Sequence, residues 1–146
     1  LKKLVALLAA GAACASALAA LSGAATRATV WTTSLGAAQE VPAQVVKDTK
    51  AHGTFKGTLN GTTLTWTLTF AGLTGPATAA HIHMGAKGVS GNVVVPLCAP
   101  CKSPAKGTAK VTGSLKSAFA KHDLYVNVHT AKNPNGEIRG QLAAGM

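Results

Sequence analysis

TTLTWTLTF, residues 62–70, alternates threonine with large apolar residues almost without a break. Successive side chains of a strand leave opposite faces, so Leu64, Trp66, Leu68 and Phe70 share one face and Thr63, Thr65, Thr67 and Thr69 the other. That pattern predicts a half-buried antiparallel strand with β-branched hydroxyl residues toward water. Asn60-Gly61 stands immediately before it. Both residues tolerate the positive φ of a tight hairpin turn, which pairs this strand with HGTFKGTL at 52–59.

Working outward, short apolar or alternating runs at Val30–Leu35, Ala79–Met84, Asn92–Leu97, Gly107–Thr112, Leu124–Thr130 and Glu137–Leu142 read as further strands. Turn residues separate them, including Gly75-Pro76, Gly85, Gly88, Gly91 and Asn133-Pro134-Asn135-Gly136. One helical turn or so fits Leu115–Lys121, and the prolines of Ala99–Gly107 predict a loop. With 146 residues and no repeat or linker, the chain is expected to carry one all-β domain over residues 26–146. The expected architecture is an antiparallel, Greek-key-like β-sandwich or flattened barrel of about eight strands.

Residues 1–25 read differently. Lys2 and Lys3 precede an apolar stretch from Leu4 to about Leu21, with small residues at its end. This is the pattern of a secretory signal peptide, with cleavage after Ala19 or near Ala24 or Ala25. A retained membrane anchor and a lipid-linked Cys14 are the rival readings. The first is opposed by the missing basic cluster after the stretch, the second by the missing aliphatic residue three positions before Cys14. The expectation is a secreted, periplasmic or cell-surface protein without a transmembrane span in its mature form.

The formal charge is +10, yet the lysines are scattered singly, and one Tyr and two Trp offer little to stack on bases. A specific nucleic-acid role is therefore not supported, while loose attraction to anionic polymers remains open. Cys98 and Cys101, once Cys14 is removed with the leader, are the remaining cysteines. In an exported chain this Cys-x-x-Cys is expected to close as a local disulfide; a redox-active dithiol would want a helix, and zinc would want two more ligands. No nucleophile elbow or phosphate-cradling glycine loop is present.

Three of the five histidines occupy strands. In ATAAHIHMGA, residues 77–86, Ala80 and Ile82 are expected to face the core, with His81 and His83 on the other side. In DLYVNVHT, Leu124, Val126 and Val128 face inward, which turns Tyr125, Asn127 and His129 outward. Past the turn, Ile138 and Leu142 continue the core face, opposed by Glu137, Arg139 and Gln141. Residues i and i+2 of a strand stand roughly 6.5–7 Å apart and project in parallel. His81 and His83 can thus converge on one ion, with His129 from a neighbouring strand as a third nitrogen, a set suited to copper or zinc. The competing reading makes them ordinary polar strand residues bonded to loops. Glu137 and Arg139 are expected to fix the hairpin through loop carbonyls and side chains, and they and Asn127 to support His129 from behind. A lone carboxylate is a poor hydrolytic site.

LGAAQEVP at 35–42, LTGPATAAHIHMGAKGVSGNVVVPL at 73–97 and LYVNVHTAKNPNGEIRGQL at 124–142 resemble, in order, the signature blocks of the CHRD domain. The resemblance covers about Thr29 to Leu142 and implies a secreted or cell-surface β-sandwich, without a mechanism. His81-Ile82-His83 and Val128-His129 are also similar to the copper-ligand pattern of Cu/Zn superoxide dismutase, a Greek-key sandwich. The bridging histidine and zinc loop of that family are missing, although His52 or His122 could add a fourth ligand. The leading expectation is a non-enzymatic module with a copper-type (or zinc) site at His81, His83 and His129. A metal-free structural or protein-interaction domain acting on extracellular proteins is the alternative, and a dismutase-like enzyme the third.

Overall fold

The computed structural model describes residues 27–47 and 50–145, so the expected leader lies outside the described residues. Nine strands and one helix follow in order: β1 Thr29–Gly36, β2 His52–Asn60, β3 Thr63–Ala71, β4 Ala77–Met84, β5 Asn92–Cys98, β6 Ala105–Lys110, α1 Gly113–Lys121, β7 Leu124–Thr130, β8 Ile138–Gln141 and β9 Ala143–Ala144. A single 3-10 turn, Ala37–Gln39, follows β1.

The strands form one antiparallel sheet in the order β5-β4-β7-β8-β1-β2-β3-β6, with β9 added along β1. The terminal strands β5 and β6 come back beside each other, so the sheet is a nearly closed barrel. The bond Cys98–Cys101 ties the turn between them, as expected of this pair. Closure leaves little unpaired edge, the usual liability of an all-β chain.

The β2–β3 hairpin turns at Asn60-Gly61 with Asn60 opposite Thr63 and Phe55 opposite Leu68. Its register sends Phe55, Leu64, Trp66 and Leu68 inward, where they meet Trp31, Leu35, Ile82, Leu124, Val126, Val128 and Ile138. Each of these large side chains contributes on the order of 1.5–3 kcal/mol by leaving water. Helix α1 seats Leu115 and Phe119 on the same core, and Phe119 meets the Trp31 indole with centroids 5.1 Å apart. His122 ends the helix in the left-handed region, with its backbone N–H on the Phe119 carbonyl.

Several element ends differ from the sequence reading: β4 opens two residues earlier, at Ala77, β6 closes at Lys110, and the expected helical turn is a nine-residue helix from Gly113. Strand β6 opens at Ala105, because Ala105 pairs with Leu68 and draws part of the expected loop into the sheet. Strand β9 is too short to be seen as a pattern and exists through its pairing with Trp31 and Thr32. Among the described residues, no helix is long and apolar enough to cross a membrane.

Candidate metal centre

Strand β4 lies between β5 and β7, and β7 pairs with β8 on its other side. Their register stacks polar residues in rows: His83 opposite Tyr125 and then Gln141, and His81 opposite Asn127 and then Arg139. His129 lies opposite Ala79, diagonal to His81. Ile82, Val126 and Val128 between them point into the core, so alternation alone sends all three imidazoles to the other side.

That side is not open surface, and here the sequence reading needs correction. His83 and His129 are 9% exposed, and Asn127, Glu137 and Arg139 are buried outright. Loops cover them. Gln44 donates to the Glu137 carbonyl, and Asn133 exchanges hydrogen bonds with the backbone of Val46. Each of these residues makes at least one hydrogen bond under that cover, while His83 Nε2, Asn127 Oδ1 and Arg139 Nη1 are left without a partner.

The three imidazoles converge. His81 Nδ1 and His129 Nε2 stand 3.1 Å apart, and one nitrogen of each ring lies within 4.8 Å of the others. Two nitrogens bonded to one ion at about 2.0–2.1 Å sit ~3.3–3.6 Å apart in tetrahedral or trigonal geometry. The His81–His129 pair, at 3.1 Å, stands a few tenths of an ångström inside that spacing, and the third nitrogen lies within 4.8 Å of both.

Hydrogen bonds orient the lone pairs. His83 Nδ1 donates to the Gly91 carbonyl at 2.9 Å, which leaves Nε2 as its lone-pair nitrogen. That Nε2 is buried and without a partner. His129 Nδ1 donates to the Pro134 carbonyl at 2.9 Å, so its Nε2 accepts the Nδ1 proton of His81. An ion at this point would take the place of the shared proton, which can move to Nε2 of His81. No net proton release is required.

Gly91 owes its place to close approach. A Cβ there would stand 1.7 Å from the Met84 carbonyl oxygen, so only glycine brings this carbonyl to His83. Its N–H also binds the Tyr125 hydroxyl at 3.0 Å, and the Tyr125 ring stacks on His83 with centroids 4.8 Å apart. The Arg139 guanidinium covers the other side of Tyr125, 3.5 Å from its centroid.

Electrostatics keep the imidazoles neutral. Burial lowers His81, reinforced by His83; burial lowers His83 against the opposing Gly91 bond. Burial carries His129 down to about 4, with the Pro134 bond opposing and the charges of His81 and His83 adding. Neutral imidazoles near pH 7 offer their lone pairs without proton competition. The donor set is all nitrogen, which suits copper or zinc over calcium or magnesium.

The remaining expected site residues sit beside the triad in other roles. Asn127 Nδ2 donates to the two Glu40 oxygens at 3.0 and 3.3 Å. Burial raises the Glu40 carboxyl to about 7, against the opposing Asn127 bond. Gly136 crosses above them at φ 135, where a Cβ would fall 2.5 Å from both side chains. Burial alone would raise the Glu137 carboxyl; donors from Thr130, Thr74 and Asn133 outweigh it and hold the group below its ordinary value. Arg139 Nη2 donates to the Ala86 carbonyl and to Gln141. The hydrogen bond that orients His129 thus comes from Pro134, and those of Asn127, Glu137 and Arg139 hold loops.

His52 and His122 lie outside the triad: His52 bonds the Lys50 carbonyl, and His122 packs on Trp31. The sequence reading did not single out Gly91, Pro134 or Glu40 as parts of the site. Glu40 and Gly91 sit in the two quoted blocks that precede the last hairpin, yet only the loop paths join them to it. Tyr125 shares its alternation with His129, a signal that could have placed it there.

No curated protein and no solved structure shows a significant match to the chain. The profile of the CHRD domain matches residues 31–142, from the middle of β1 to the end of the last hairpin. With most of its length and all three histidines inside that match, the chain belongs to the CHRD domain family.

Proposed function

We propose that this protein is an exported, non-enzymatic binding module that holds one copper-type ion through His81 Nδ1, His83 Nε2 and His129 Nε2, with zinc as the alternative ion. The observation that carries the reading is the buried, unpartnered Nε2 of His83 in a group of three imidazoles that bring one nitrogen each within 4.8 Å of the others. A lone pair shut away from water without a donor costs about 1–3 kcal/mol, and a bound cation removes that cost. Export is supported by the basic and apolar leader pattern and by the Cys98–Cys101 disulfide, a bond suited to oxidising compartments.

Titration of the processed, metal-free chain with Cu(II), followed by paramagnetic resonance, is the test. One equivalent with nitrogen couplings from three imidazoles is expected, and His83→Ala should lower the affinity at least 100-fold. Equal binding by wild type and His83→Ala ends the metal reading.

A second reading has its own support. His83 and His129 anchor the carbonyls of Gly91 and Pro134, so they pin two loops with no ion present. A metal-free interaction domain would bind neither Cu(II) nor Zn(II) specifically and would still lose loop order in His83→Ala.

A further inference from the structure

Arg139 carries a charge that the fold leaves incompletely matched. It is 2% exposed, and a guanidinium keeps its proton in any protein environment. Nη2 donates to Ala86 and Gln141, while Nη1 is buried without a partner. No described carboxylate forms an ion pair with it. Glu40, the acid whose charge it senses, turns both oxygens to Asn127 instead. Buried charges are ordinarily paired, because desolvating one alone costs several kcal/mol.

The same residue lines a cleft of about 190 Å³ between the turn after β1 and the turn after β4. Ala38, Gln39, Val41, Lys87, Gly88 and Gln141 complete its walls, with Lys87 exposed at the rim. The volume corresponds to about six waters at ~30 Å³ each. The charged groups lining it are both cationic, and its two amides are already bonded, Gln141 to the Gly85 and His122 carbonyls and Gln39 to that of Ser34.

We propose that this cleft binds a small oxyanion, a carboxylate or phosphate group, between Arg139 and Lys87. With both Nη2 protons engaged, the unpartnered Nη1 is the guanidinium donor left for an anion oxygen, and Lys87 supplies a second positive charge from a mobile stem. The site is separate from the imidazoles and does not depend on metal. It adjoins them through Tyr125, which lies between Arg139 and His83, and the Arg139 charge is felt at His83.

The test uses the metal-free chain, so that anion coordination to an ion cannot answer for the cleft. Arginine side-chain ¹H–¹⁵N resonances are followed while sodium acetate, and separately inorganic phosphate, replaces chloride at constant ionic strength. A saturable shift of the Arg139 resonances by acetate, by phosphate or by both is expected, the stronger ligand identifying the source chemistry. Lys87→Ala, on an exposed turn, should weaken binding three- to tenfold with an unchanged melting temperature. Arg139→Lys should abolish saturation; should that variant unfold, Lys87→Ala and the Arg139 resonances still decide. The proposal is overturned by linear, non-saturating shifts, by equal affinity in Lys87→Ala, or by anion binding that appears only in Glu40→Gln. The last outcome would make Glu40 the resident counter-ion. Loss of Cu(II) binding in His83→Ala bears on the other site alone.

Discussion

The outer faces of β2–β3 and of β4–β7–β8 obey the same alternation and end in opposite environments. On the hairpin, Lys56, Thr63 and Thr65 face water, as the strict threonine pattern implies. On the other face, His83, Asn127, His129 and Arg139 project equally far from the core and are covered. Both faces are outside the barrel, yet only one is surface. Period-2 alternation reports which side of the sheet a residue leaves, and says nothing about what later lies across it. The covering loops, held by Gln44, Asn133 and the carbonyls of Ala86, Gly91 and Pro134, turn a polar strand face into a second, hydrogen-bonded interior.

Substitutions at matched positions should separate the two faces sharply. Glu137→Ala removes the acceptor shared by Thr74 and Thr130 beneath the cover and strands their donors. A loss of about 3–5 kcal/mol is expected by urea denaturation, since each buried unsatisfied donor costs about 1–3 kcal/mol. A loss under about 1 kcal/mol would mean that water reaches this face freely.

The pH profile of the metal-free chain gives a medium effect. A histidine whose folded pKa is depressed contributes stability present above its ordinary 6.5 and lost as pH falls through that value, toward about 4 for His129. Glu40 works the other way: raised from 4.5 to about 7, it contributes stability present below 4.5 and lost as pH rises toward 7. The trends oppose each other between pH 4.5 and 6.5, with His81 and His83 adding to His129, so Glu40 should make the wild type's rise in stability with pH shallower there. Glu40→Gln does not titrate, and its stability should rise with pH across that window. An identical slope in both proteins would show that Glu40 is solvated.

At the bottom of the scale, Thr65→Ala on the open face should change stability by less than ~0.5 kcal/mol. A larger cost would reveal packing on a face that the fold presents to solvent.

Legibility follows the same division. The hairpin at Asn60-Gly61, the inward set Ile82, Val126 and Val128, and the helical turn near Phe119 could be read directly, because local periodicity and turn chemistry specify them. The three histidines could be placed on one side of their strands for the same reason. Strand β9 could not, since two residues carry no period and the pairing with β1 alone creates it.

By itself, then, the order of residues determined every strand but β9, their core faces, the disulfide turn and the direction in which His81, His83 and His129 leave the sheet. These are consequences of backbone geometry within a few residues. The tertiary structure decided that β4 and β7 are neighbours, that their imidazoles meet at 3.1 Å, and that carbonyls from distant loops orient and bury them. Strand neighbours and loop paths are set by packing the whole chain, between residues as far apart as Glu40 and Asn127, and no local pattern encodes such a meeting.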